Sequence, residues 1–139
     1  MSSYPQSPRE LVQSRFAWLA AGDFSSIYRS YHPDARLRGH FPSEESYIEF
    51  AREQQLDQFE LLQLEVIDQM ERGNLARILT AQVFRLKGEK FRYLDVTTLR
   101  FDGLCWRILS GKRREAETAE ESEQMSLEAV YHDPQSFEY

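Results

Sequence analysis

Asp95 and Arg15 are the residues whose types and placement first suggest chemistry. Alternation along 91–101 puts Phe91, Tyr93, Asp95, Thr97, Leu99 and Phe101 on one face of a strand. On the next strand Trp106, Ile108 and Ser110 share a face. The aromatic-rich side, with Tyr93, Leu99, Phe101 and Trp106, is expected to lie under the helices, which places Asp95 inside. A buried carboxylate must be paired or protonated, because desolvating a bare charge is costly. Arg15 falls within the apolar arc of the first helix, among Leu11, Val12, Phe16, Trp18 and Leu19. An Arg15–Asp95 ion pair across the helix–sheet interface is the economical expectation. Such a pair would fix where the helix sits. The rival role is general base or ligand anchor, but base work needs a raised pKa and an arginine neighbour lowers it. The structural role is therefore favoured.

A catalytic cavity would draw on Asp95, His40 and Tyr31. His40 precedes the third predicted helix, and an imidazole there can act as acid or base. A lone histidine without a fixed partner is more often structural. Arg15, Trp18, Tyr28, His32, Tyr93, Thr97 and Trp106 are the expected lining of any pocket. His32, His40 and Asp34 lack metal-ligand spacing, so no metal is expected, and no cofactor either. Cys105 has no evident base or second cysteine and reads as an inert thiol. The sequence contains no phosphate loop, dinucleotide fingerprint or nucleophile elbow.

These residues need elements to hold them. The chain has 139 residues, 41% apolar and 29% charged, which suits one domain. Ser7-Pro8-Arg9-Glu10 opens a helix that Gly22 stops near Ala21. Asp23 or Ser25 caps a short second helix through Tyr31, ended by His32-Pro33. Ala35–Arg38 reads as a short strand and Gly39–Pro42 as a loop. Ser43 caps a third helix to about Leu56, with Tyr47, Ile48, Phe50 and Ala51 on its apolar side. The period then falls to two. Phe59–Met70, Leu75–Leu86, Phe91–Phe101 and Cys105–Gly111 read as strands joined at Gly73-Asn74, Gly88-Glu89 and Asp102-Gly103. The expected fold is α+β: three N-terminal helices packed on a curved antiparallel sheet of four to five strands, over residues 1–113. Residues 114–139 read as an acidic tail, either a loose helix around Glu117–Val130 or disordered.

The order of elements is similar to the cone-shaped, cystatin-like fold of the nuclear transport factor 2-like superfamily, which includes ketosteroid isomerase and the SnoaL-type cyclases. Leu11-Val12-Gln13-Ser14-Arg15-Phe16, Gly22-Asp23 and Tyr31-His32-Pro33 resemble the middle domain of the YchJ family. Asp95-Val96-Thr97-Thr98-Leu99 and Asp102-Gly103-Leu104-Cys105-Trp106 resemble its last hairpin. The resemblance covers roughly residues 8–113. It departs in cysteine: YchJ proteins carry cysteine-rich, zinc-binding segments, and here Cys105 stands alone. It implies a fold more firmly than a function.

Charge and cysteine usage exclude several classes. Residues 1–111 hold 14 basic and 15 acidic side chains, whereas 112–139 hold three and eight. An acidic chain is repelled by nucleic acid, and Lys112-Arg113-Arg114 reads as a solvated strand end. No membrane span or signal segment is expected, and one cysteine fits a reducing, cytoplasmic setting. The outer sheet face carries Leu75, Leu79, Ala81, Val83, Leu94, Val96 and Leu109 among Arg77, Arg85, Arg92, Arg100 and Arg107. Such a face predicts a homodimer, unless Leu127, Val130, Tyr131 and Phe137 of the tail cover it. Three functions stay open: a small-molecule-binding domain, ranked first; an interaction module using the sheet face and tail; and a cofactor-free isomerase, cyclase or dehydratase.

Overall fold

Ser7 starts the first helix by accepting the Glu10 amide on its hydroxyl, at 3.1 Å, in a computed structural model that describes residues 4–118 and 125–139. Helix α1 runs Pro8–Ala21 and is closed by Gly22 at φ 71°. Helix α2 (Phe24–Ser30) is capped by the Asp23 carboxylate, which accepts from the Ser26 amide and hydroxyl. Helix α3 (Arg36–His40) follows, then α4 (Glu44–Glu53), opened by a reciprocal Ser43–Ser46 cap. A 3₁₀ turn at Leu56–Gln58 leads into the sheet.

Helix α3 stands where a strand and a loop were expected. Ala35, Leu37 and Arg38 fit both periods over so few residues, so alternation alone could not decide. The helix puts Leu37 and Phe41 one turn apart, both packed on the core, and lays the Arg38 guanidinium 4.4 Å from the Tyr28 ring centroid. The helical layer before the sheet therefore has four α-helices among the described residues, not three.

The sheet is antiparallel, in the order β1 (Phe59–Arg72), β2 (Leu75–Leu86), β3 (Glu89–Phe101), β4 (Trp106–Glu115), β5 (Phe137–Glu138). Gly73 and Gly88 take the positive φ that the first two hairpins require. The α+β class holds, with five strands in one open sheet and, among the described residues, a fifth helix, α5 (Leu127–Tyr131), in the tail. Of the helix expected around 117–130, residues 119–124 lie outside the described residues.

Three bulges break the ladder. Leu62 and Ile67 are the extra residues on β1. On β4, Leu99 pairs with Ile108 and Thr98 with Ser110, so Leu109 is extra. That insertion turns the parity of everything after it. Ser110 faces outward, against the expectation that it shares a face with Trp106 and Ile108, while Gly111 and Arg113 face the helices. Leu109, expected on the outer face, instead lines a cleft beside α3.

Each face of the sheet has its own apolar layer. Under α1, α2 and α4 lie Ala76, Ile78, Phe84, Leu99, Trp106 and Ile108, packed on Leu11, Phe16 and Ile27. On the far face Leu79, Ala81, Leu94 and Val96 are covered by Leu127 and Val130 of α5. Val130 is fully buried. The surface on which the homodimer expectation rested thus carries the chain's own tail; Phe137, by contrast, is half exposed.

Candidate functional site

The helix-facing side of the sheet carries a polar island in its apolar floor. Thr80, Gln82, Asp95 and Thr97 are all buried there, and Thr80 sits directly across from Asp95. The Asp95 carboxylate is wholly enclosed. Its Oδ1 accepts from the Thr97 hydroxyl at 2.9 Å. Its Oδ2 accepts from Arg113 Nε at 3.1 Å, from Arg113 Nη2 at 3.1 Å and from the Tyr139 hydroxyl at 2.6 Å.

Arg113 replaces Arg15 as the ion partner of Asp95. The β4 bulge sets Arg113 opposite Asp95 in the register, at the distance where cross-strand side chains meet. Arg15 comes from α1 into the same interior but forms no ion pair with Asp95. Its guanidinium carbon instead lies 5.7 Å from the Phe16 ring centroid and 5.9 Å from that of Tyr31. Burial works against its charge, yet the groups facing it, Tyr31, Tyr139, Tyr47 and Asp95, outweigh that and hold its pKa above the usual value. Arg15 Nε is shielded and has no hydrogen-bond partner among the described residues. Two guanidinium groups and one carboxylate leave this interior with an excess positive charge.

Lys112-Arg113-Arg114 is likewise no solvated strand end. Lys112 donates to the Tyr131 carbonyl at 3.3 Å, and Arg114 pairs with Asp133 at 2.9 Å. The tail's acidity and the strand's basicity meet within the chain.

Tyr139 comes from beyond β5 and completes the island. Its amide donates to the Gly111 carbonyl at 2.8 Å, and its carbonyl accepts from the Gly111 amide at 3.1 Å. Its ring lies against Gly111, where a Cβ would collide with ring atoms and hydroxyl alike. The Arg113 guanidinium stands 4.5 Å from the Tyr139 centroid and 5.3 Å from that of Tyr93. Burial, reinforced by the Asp95 charge, pushes the Tyr139 phenol above its ordinary pKa. Burial also pushes Tyr47 up to about 12, against the opposing pull of Arg15.

A cleft of about 320 Å³ opens between α3 and the β4–β5 edge. Tyr31, Leu37, Phe41 and Leu109 supply apolar walls; Arg36, His40 and Glu138 stand at its rim. Tyr139 lines it as well, and Asp95 does not, so the Tyr139 ring separates cleft from carboxylate.

The expected site residues divide accordingly. Asp95, Thr97, Arg15, Tyr31 and Tyr93 belong to this interior or its walls. His40 is exposed at the rim and does not converge with Asp95. His32 Nδ1 accepts from the Asp34 amide at 3.0 Å, a local turn bond. The Tyr28 hydroxyl donates to the Phe41 carbonyl at 2.6 Å and holds the loop before α4. Trp18 packs on the core from α1, and the Trp106 carbonyl accepts from the Tyr4 hydroxyl at 2.7 Å. Sequence reasoning missed Arg113, Gly111 and Tyr139. A strand bulge leaves little mark in a pattern of apolar residues, and a tyrosine far along an acidic tail carries no positional signal. Among the described residues no group of three or more His, Cys, Asp or Glu side chains could hold a metal ion. No helix among them is long and apolar enough to cross a membrane.

No protein-family model matches the chain, and no curated protein matches it. A solved structure does: a SEC-C motif containing protein from Rhodopseudomonas palustris, at TM-score 0.59 and 22% identity, over 76% of this chain and 77% of that one. This overturns the resemblance to the nuclear transport factor 2-like superfamily and to the YchJ middle domain. The segments that suggested it are stretches of α1 and β3, two helix ends and a hairpin turn, short patterns that recur wherever helices precede a meander. At this identity the likeness is one of fold: the chain shares the backbone arrangement of that SEC-C motif containing protein.

Proposed function

We propose that the chain is a small-molecule-binding domain whose ligand carries a carboxylate and enters by the cleft between α3 and the β4–β5 edge. The reading rests on one observation: Arg15 Nε is shielded and unpartnered in an interior that already holds a second arginine and only one carboxylate. An anion delivered there would neutralise the excess charge and take the free donor. The cleft volume suits a ligand of a few to a dozen heavy atoms, and Arg15 lies behind the wall of Tyr31 and Tyr139, 5.9 Å from the Tyr31 centroid, so the anion reaches it as Tyr139 yields. Binding is favoured over catalysis because Asp95 is sealed behind Tyr139 and held by Arg113, while His40 stands apart at the rim. The proposed working shape is a sheet curled cone-like around this interior, which the bulges of β1 and β4 support by bending their strands. A reducing, cytoplasmic setting belongs to the same proposal, supported by the free thiol of Cys105.

Sodium benzoate is the probe. Titrated into isotope-labelled protein, it should shift the amides of α3 and of β4 near Leu109, and Arg15→Met should weaken binding about tenfold or more. Unchanged spectra at millimolar benzoate, or equal affinity in the Arg15→Met chain, would remove the proposal.

A further inference from the structure

We propose that the seat of the Tyr139 ring is a binding site for para-substituted phenols, with Tyr139 as its occupant from within the chain. The inference rests on reading the interior as a ligand site, and it names a second feature the ligand would carry. The seat has the parts such a ligand needs. Asp95 Oδ2 accepts the hydroxyl at 2.6 Å. The Arg113 guanidinium lies over the ring face at 4.5 Å. Gly111 leaves the space that any Cβ would fill. The para direction, which in Tyr139 leads to Cβ, runs outward to the edge where the apolar cleft opens.

The occupant's ring is well seated, but its backbone tether is short. Strand β5 has two residues, both exposed and paired among the described residues with Lys112 and Arg113, and the Tyr139–Gly111 pair adds two backbone bonds. A ligand presenting the same phenol makes the contacts of Tyr139, its para substituent leads to the cleft, and with Tyr139 displaced Arg15, which faces Tyr139 across this interior, is open to its carboxylate. Binding then releases the β5 segment, so the ligand's arrival is reported at the sheet edge.

The test uses the full chain carrying Tyr139→Ala, with p-cresol as probe and 4-methylanisole, which cannot donate a hydrogen bond, as control. Expected is that p-cresol raises the melting temperature of Tyr139→Ala by several degrees and 4-methylanisole does not. Adding Gly111→Ala to that variant, which fills the seat, should abolish the effect. If Tyr139→Ala is unfolded at 25 °C, p-cresol should restore its circular dichroism; failure to do so overturns the proposal. Absence of any p-cresol effect, or an equal effect of 4-methylanisole, makes Tyr139 an edge clasp only. Benzoate titration of the unsubstituted chain separates the two readings. If benzoate binds and p-cresol does not, the phenol seat falls and the ligand-binding reading stands; if neither binds, both fall.

Discussion

Asp95 is asked to satisfy a charge and two hydroxyl groups at once. Oδ2 serves Arg113 and Tyr139, and Oδ1 serves Thr97. An amide could keep one hydroxyl on its single oxygen and donate its N–H to the other; the charge it could not supply. Asp95→Asn keeps the shape and strands Arg113 beside Arg15 with no counter-charge. Breaking a buried pair on one side costs about 3–5 kcal/mol, because the surviving charge stays desolvated. A chain of this size should then melt roughly 10 °C lower. Arg113→Met should cost a similar amount, since it leaves the enclosed carboxylate alone. The two substitutions together should cost clearly less than the sum of the singles, because the double variant buries no unpaired member of this pair. Urea unfolding of the four chains checks this, and additive losses would mean that Asp95 and Arg113 are not held as a pair.

At the scale of elements, the β4 bulge decides what the interior contains, and α5 decides what the outer face does. Strict alternation from Trp106 turns Ser110 and Lys112 inward; the extra Leu109 turns Gly111 and Arg113 inward instead. Helix α5 seats Leu127 and Val130 on Leu79, Leu94 and Val96. Charging both contacts, with Leu127→Asp and Val130→Asp, should lift the helix and bare an apolar patch edged by arginine. The variant should elute from a sizing column as a larger species than the unsubstituted chain. Identical elution with an unchanged melting temperature would show that α5 does not hold that face. The strands and their hairpins were legible because period-two runs between Gly73-Asn74, Gly88 and Asp102-Gly103 leave few alternatives. Helices α1 and α4 announced themselves through Ser7 and Ser43. That Asp95 lies inside was legible from its aromatic neighbours. Its partner was not, because a bulge is an insertion of one residue in backbone pairing and Leu109 fits a strand either way. Helix α3 was hidden by its shortness, and the seat of Tyr139 by the distance in sequence between it and Gly111.

Across the whole molecule, charge and burial set opposite limits. The body is nearly neutral and the tail acidic, yet the two are joined: Arg114 meets Asp133, and the rings of Tyr131 and Tyr139 lie against Lys112 and Arg113. The interior is also rich in phenols whose ionisation folding opposes. Burial pushes Tyr47 up to about 12, and Tyr4 likewise to about 12, the latter helped by Cys105; Tyr139 rises for the same first cause. A phenol whose folded pKa exceeds its unfolded value of about 10 keeps its proton in the native state after the unfolded chain has lost it. Its stabilising share is therefore complete below about pH 10 and drains away as pH rises through the folded value. Between about pH 10 and 12 the enclosed Tyr47 should lower stability by ~1.4 kcal/mol per pH unit, and the half-buried Tyr4 by clearly less, because solvent screens it. Tyr47→Phe removes one such share, Tyr47 being almost wholly enclosed. Urea midpoints measured at several pH values from 9 to 12 should fall less steeply for Tyr47→Phe than for the unsubstituted chain, with the curves converging toward the alkaline end. Parallel curves would mean that the Tyr47 phenol is not shielded by the fold, and that the helix layer over the Arg15 interior is open to water.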